Sequence, residues 1–187
     1  MSSADSDITI EILSTPNPDA LMFRLEDEVL VPQGSFEFAS VQDAVGAPLA
    51  QALFAVPGTA GVLIARSFVT ITRQADTPWQ ELSAGTQAAL RAFIESGAVA
   101  VEDVASAATG GTDVEQRIAR LIAESVQPAL EADGGAIEFV GFEDGVVSAR
   151  LRGACGTCPH ATATLAFGVK RFLMQHVPEV TDVVRVD

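Results

Sequence analysis

Positive charge is scarce in this 187-residue sequence: 11 Lys and Arg stand against 25 Asp and Glu, for a net charge of −14. A nucleic-acid-binding surface must be basic enough to displace counterions, so that class of partner is excluded. Cysteine is scarcer still, with two in the whole chain, three positions apart. A chain that is 48% hydrophobic can build a core without a disulfide framework, and two cysteines do not make one. No run of about 20 apolar residues offers a membrane span. Met1–Asp7 lacks Lys, Arg and any apolar stretch, so it reads as neither a secretory signal nor an Arg-rich organelle presequence. The expectation is a cytoplasmic protein with neither nucleic acid nor membrane as partner.

The acidity is uneven. Residues 1–110 carry 14 acidic and 4 basic side chains, and residues 111–187 carry 11 and 7. Solubility explains such an excess; docking of basic partners by the first half is the sharper alternative. The length suits two small domains, and the fold class expected is α+β, with two small mixed α/β domains. In the first (1–105), Ile8, Ile10 and Ile12 alternate with polar residues as a half-buried strand does, and Leu21, Phe23 and Leu25 resume that period after the turn Thr15-Pro16-Asn17-Pro18. Gly61–Ala65 and Phe68–Thr72 read as a hairpin about Arg66-Ser67. A short helix is expected over Pro48–Phe54. A longer one is expected from Thr77 as N-cap and Pro78 as first helical residue to Gly97 as C-cap, with Gly85 weakening its middle.

Residues 106–112, rich in Ser, Thr, Ala and Gly without periodicity, read as a flexible linker. The second domain (113–187) opens on a capping box, Thr112 with Glu115. Val114, Ile118, Leu121, Ile122, Ser125 and Ala129 then trace one helical face. Pro128 inside that helix demands a kink or an end. Asp133-Gly134-Gly135 is a helix exit. Ile137–Phe142 and Val146–Arg152 are strands joined at Asp144-Gly145, a strong hairpin signal. A helix to His176 and a strand over Val180–Val186 complete an α-β-β-α-β order.

The two cysteines stand in Gly153-Ala154-Cys155-Gly156-Thr157-Cys158-Pro159, where a strand hands over to a helix. Pro159 suits a first helical turn. A helix N-terminus offers free N–H groups and partial positive charge, which favour thiolate, the form that binds metal or attacks disulfides. Three uses compete. A thioredoxin-like dithiol would need a β-α-β unit before the motif and a longer sheet after it, and an α-β-β unit stands there instead. Structural zinc needs four N or S ligands, and neither His160 nor His176 is well placed to complete a set within one chain, although two chains could form a four-thiolate site. An iron–sulfur cluster also takes four thiolates; one chain supplies two, and a symmetric homodimer supplies four, with a cubane on the two-fold axis. Spacing alone does not separate zinc from iron–sulfur.

The second half resembles the Nfu family, the NifU C-terminal-like iron–sulfur scaffold and carrier domain. The resemblance is carried by Pro128-Ala129-Leu130, Asp133-Gly134-Gly135, Ile137–Val140, Asp144–Val147, Leu151–Cys155, Cys158-Pro159, Thr164-Leu165 and Val177–Val180, in order and at the family's spacing over nearly all of 113–187. The first half resembles the Nfu N-terminal domain through Thr15–Leu21, Phe23, Gly58, Gly61-Val62, Phe68–Thr72 and Trp79. The resemblance implies that Cys155 and Cys158 are the cofactor-binding metal ligands of a [4Fe–4S] cluster, one per dimer. It implies a non-enzymatic carrier that receives the cluster from upstream assembly machinery and passes it to apo iron–sulfur client proteins. The chain departs from the family at Ala136, where an acidic residue is common, at His160-Ala161, where small hydroxyl residues follow Cys-Pro, and at Ala166, where Lys is common.

On the helix after the motif, Leu165, Val169, Phe172, Leu173 and His176 form a face for the sheet. Phe167 and Met174 lie on another face beside Lys170, a candidate dimer or client contact. Trp79 reads as a core or rim anchor, and His160 as a residue of the first helical turn.

Overall fold

The computed structural model describes residues 8–32, 34–102, 112–154 and 159–186, with the side chains of 159–166 set aside. The expected linker, most of it, therefore lies outside the described residues, as do Cys155 and Cys158. Five strands form the first sheet: β1 (Ile10–Ser14), β2 (Ala20–Leu25), β3 (Phe36–Phe38), β4 (Thr59–Ile64) and β5 (Phe68–Arg73). Their order is β1-β2-β5-β4-β3, antiparallel throughout. Two helices, α1 (Pro48–Phe54) and α2 (Trp79–Ser96), cover one face. Phe23, Val62, Val69 and Ile71 from that face meet Leu49, Leu53, Leu82 and Leu90 in the first core.

Local chemistry explains most of these elements. Thr15 Oγ1 accepts the Asn17 N–H at 3.2 Å and donates to the Ala20 carbonyl at 3.0 Å, so the Thr-Pro-Asn-Pro stretch is the turn into β2. The Ala65 N–H donates to the Phe68 carbonyl at 2.9 Å and closes the β4–β5 hairpin. The start of α2 lies one residue later than the Thr77-Pro78 pattern suggests. Pro78, extended at ψ 128°, is the cap, and no side chain caps the helix. Gly85 has a packing reason: a Cβ there would come within 2.7 Å of Val56 Cγ1.

The second unit begins with α3 (Asp113–Leu121), whose capping box Thr112–Glu115 is formed on both sides. Pro128 falls where the helix is interrupted, as its position demands. A π-helical turn, Ile122–Val126, widens the ladder ahead of it, and α4 (Gln127–Ala132) restarts with Pro128 in its first turn, where no N–H is needed. β6 (Gly135–Glu143) and β7 (Val146–Gly153) pair antiparallel about Asp144-Gly145, both at positive φ (48° and 83°), as a tight hairpin turn of this kind requires. α5 (Pro159–His176) then carries the chain back to β8 (Asp182–Arg185), which lies parallel to β7. A second core gathers Ile118, Ile122, Leu130, Ile137, Leu151, Val169 and Leu173 between helices and sheet. Burying a side chain such as Leu173 contributes about 1.5–3 kcal/mol. The α+β class and the α-β-β-α-β order stand, with the first helix in three pieces.

Candidate functional site

A parallel strand pair joined through a helix places the strand-to-helix turn at the C-terminal edge of the sheet, where α/β proteins generally bind ligands. Here β7 ends at Gly153 and α5 starts at Pro159. Cys155 and Cys158 lie between those two points in sequence, outside the described residues, and the side chain of His160 is likewise outside them. The residues that lead into the motif form a frame. Gly135 pairs with Gly153 in the β6–β7 ladder, and the Ala154 N–H donates to the Gly134 carbonyl at 3.3 Å. Gly134 at φ 71° and Gly153 at φ 66° are both left-handed. The double glycine read as a helix exit is therefore also one side of the frame that leads into the cysteine motif.

Two side chains from the first sheet reach this frame. The Thr70 hydroxyl donates to the Gly134 carbonyl at 2.7 Å, and the Gly153 N–H donates to Glu37 Oε1 at 2.8 Å. Burial pushes the Glu37 carboxyl above its ordinary range, against the opposing pull of the Gly153 N–H and of the Arg152 and Arg185 charges. Sequence reasoning missed both residues. Thr70 is one of several strand threonines, and Glu37 is a carboxylate between two phenylalanines; their partners stand 64 and 116 positions away.

Just behind the frame, Glu138 on β6 receives Arg152 at 2.5 Å and Arg150 at 3.0 Å from the facing β7. Burial raises its carboxyl pKa, but the hydrogen bonds and charges of the two arginines outweigh burial and hold it below the ordinary 4.5. A depressed folded pKa adds stability that is present above the unfolded value and is lost as pH falls through the folded one. Glu138→Gln should therefore cost about 0.2–1 kcal/mol at neutral pH, the range for exposed pairs. That cost should shrink toward zero well below pH 4.5. Urea unfolding of both proteins at the two pH values checks this, and an equal cost at both would contradict it.

On α5, Val169 and Leu173 are buried in the second core and Phe172 packs against it, as expected of the sheet-facing stripe. His176 ends that stripe in the open, its ring 4.3 Å from that of Phe172 and its Nδ1 2.8 Å from the Phe172 carbonyl. Phe167 is 69% exposed and Met174 42% exposed. With Lys170, Arg171 and Gln175 they line a shallow depression of about 260 Å³. Lys170 is ion-paired with Asp182 of β8 at 2.7 Å. Trp79 is a rim anchor: it packs on the first core, its Nε1–H donates to the Pro18 carbonyl at 3.3 Å, and the Arg73 guanidinium lies 5.2 Å from its ring centre. Among the described residues, no group of three or more His, Cys, Asp or Glu is placed to hold a metal ion, and no helix is long and apolar enough to cross a membrane.

Comparison with known proteins agrees with both halves. Residues 10–97 match the model of the Nfu/NifU scaffold-protein N-terminal domain, and residues 118–184 match the NifU-like domain. NifU-like protein 4, mitochondrial, of Arabidopsis thaliana is 36% identical over 93% of this chain and 64% of its own length. A NifU-like protein of Schizosaccharomyces pombe is 33% identical over 96% of this chain and 73% of its own. The NFU1 iron-sulfur cluster scaffold homolog, mitochondrial, of Drosophila erecta is 33% identical over 95% and 64%. The chain thus spans about two thirds of the length of these relatives. Two of them are named mitochondrial, which overturns the expectation of a cytoplasmic protein. That expectation rested on the charge of Met1–Asp7, and seven residues at one end of a chain shorter than its relatives do not decide a compartment.

Proposed function

The chain belongs to the NifU-like family of iron–sulfur cluster scaffold proteins, and from that premise we propose that two copies hold one [4Fe–4S] cluster as cargo through Cys155 and Cys158 and pass it to apo-proteins. The role is a scaffold's and not an enzyme's. The observation that most supports the reading is the β7–α5 crossover. The chain enters the cysteine motif from Gly153, which is fixed against Gly134 and Gly135, and the α5 N-terminus that follows the motif favours negative charge. A cubane with four thiolate ligands is anionic, and each chain brings two cysteines.

Transfer is ligand exchange. A client thiolate forms a bond to iron as the Cys155 or Cys158 thiolate leaves, with no change of oxidation state and with the protons of the incoming thiols passing to solvent. The upstream assembly machinery supplies the cluster and client apo-proteins receive it. The acidic first domain offers a contact surface for such partners. Anaerobic reconstitution with iron and sulfide, followed by absorption and Mössbauer spectroscopy, tests the reading. About four irons per two chains is expected. A colourless zinc-loaded protein, or disulfide reductase turnover by a monomer, would contradict it.

The exposed Phe167–Met174 face of α5 belongs to the same reading as a dimer or client contact. Large apolar side chains that remain exposed beside cations suit a partner surface. Phe167→Asp should lower dimer formation or the rate of cluster delivery while leaving the melting temperature within about a degree or two, as surface substitutions do. Sedimentation of the loaded protein and a transfer assay to an apo-ferredoxin measure this; no change in either would remove Phe167 from the contact.

A further inference from the structure

One rung of side chains crosses the whole first sheet. Leu13 pairs with Met22, Met22 with Thr70, Thr70 with Leu63, and Leu63 with Glu37, so all five point to the same face, opposite α1 and α2. An antiparallel sheet commonly leaves its second face to water. Here Met22, Leu63 and Thr70 are no more than 1% exposed. What covers them is the glycine frame of the second sheet. Ala136, fully buried, packs with Met22, Leu63, Ala65 and Phe68 in a third apolar cluster that joins the two units. The fit depends on missing side chains. A Cβ at Gly153 would stand 2.5 Å from Leu63 Cδ2, and one at Gly134 would stand 2.8 Å from Thr15 Cγ2.

The rung's two polar members make directed contacts at the point where β7 leaves the sheet. Glu37 takes the Gly153 N–H, and Thr70 binds the Gly134 carbonyl that also accepts the Ala154 N–H. The last peptide groups before Cys155 are thereby held from the first domain as well as from the second. We propose that Glu37 and Thr70 are positioning residues for the end of β7 that leads into Cys155, and that the first domain's sheet is the platform on which that end is set. This rests on the reading of Cys155 and Cys158 as cluster ligands. Because the two domains share one chain, their effective concentration is high and a small interface suffices to keep them docked. The first domain then tunes how firmly the cluster is held, and undocking it loosens the end of β7 for delivery.

The test uses the full chain and four variants: Glu37→Leu, Thr70→Val, Thr70→Ser and Ala136→Asp. The last buries a carboxylate in the joint without touching either domain's own core, the cysteines or the two hydrogen bonds. Two quantities are read: amide hydrogen exchange at Gly153 and Ala154, and the rate at which reconstituted protein loses iron to a ferrous chelator. Glu37→Leu and Ala136→Asp should speed Gly153 exchange about ten-fold, as expected when a hydrogen bond of typical net strength is lost. Both should also release iron several-fold faster from an unchanged starting content. Thr70→Val removes one of the two bonds that fix the Gly134 carbonyl, so it should speed Ala154 exchange by a smaller factor and iron loss with it. Thr70→Ser, which keeps the hydroxyl, should behave as the parent. Unchanged Gly153 exchange in Ala136→Asp would overturn the docking, and faster exchange with unchanged iron loss would overturn the positioning. A parent chain that takes up no iron and sulfide would sink the scaffold reading instead, while the exchange data would still decide whether the domains dock.

Discussion

Replacing Cys155 or Cys158 by serine is expected to abolish cluster uptake rather than weaken it. The substitution acts twice in a symmetric dimer, removing two of four thiolates at once, and a cubane left with two protein ligands has two open irons. No further cysteine stands in reserve. The sequence holds no third cysteine, and the described residues include no other group of three or more candidate ligands. Serine is close in size but stays protonated at neutral pH, so it does not substitute as an anionic ligand. Iron and sulfide per chain after anaerobic reconstitution should fall to background in either variant. Far-UV circular dichroism of the apo-protein should not change, since serine is nearly isosteric with cysteine. Retention of half or more of the iron would remove the cysteines from the ligand set.

The second large effect is expected at Gly153. Its φ of 66° lies where a side chain brings strain of about 1–3 kcal/mol. An added Cβ would also fall 2.5 Å from Leu63 Cδ2 and 2.8 Å from the Gly134 carbonyl oxygen. The leucine tip can move. The carbonyl cannot move without disturbing the bonds it accepts from Thr70 and Ala154. Gly153→Ala should therefore lower the melting temperature of the second domain by about 4 °C or more, the shift per kcal/mol for a domain of this size. Gly168 on α5 provides the contrast: its φ is ordinary and a Cβ there meets nothing within 4 Å. Gly168→Ala should stabilise the same domain by about 0.5–1 kcal/mol. Thermal unfolding of both variants decides the matter, and a harmless Gly153→Ala would mean that the end of β7 is not held as described.

These two positions also mark where sequence was informative and where it was not. Turns, caps and hairpins are local, so Thr112–Glu115, Asp144-Gly145 and the Pro48–Phe54 helix were all readable from neighbouring residues. Pro128 was readable as a disturbance but not as a π-helical turn, because several backbone adjustments relieve the same clash. The joint between the domains was not readable. β2 was expected to be half-buried, yet Met22 and Phe23, which point to opposite faces, are both fully buried. The adjacent apolar pair Met22-Phe23 was a sign that both faces are covered, but nothing local says by what. Glu37 and Thr70 owe their roles to residues more than 60 positions away, which no periodicity encodes.

The central claim is that the cluster is shared between two chains, each giving one Cys155 and one Cys158. Native mass spectrometry of anaerobically reconstituted protein tests it most directly, because it weighs chains and cluster together. The account predicts a species of two 19.5 kDa chains with one cubane of about four irons and four sulfides, collapsing to apo-monomer when the cluster is removed. A cluster-bearing or zinc-bearing single chain would contradict it.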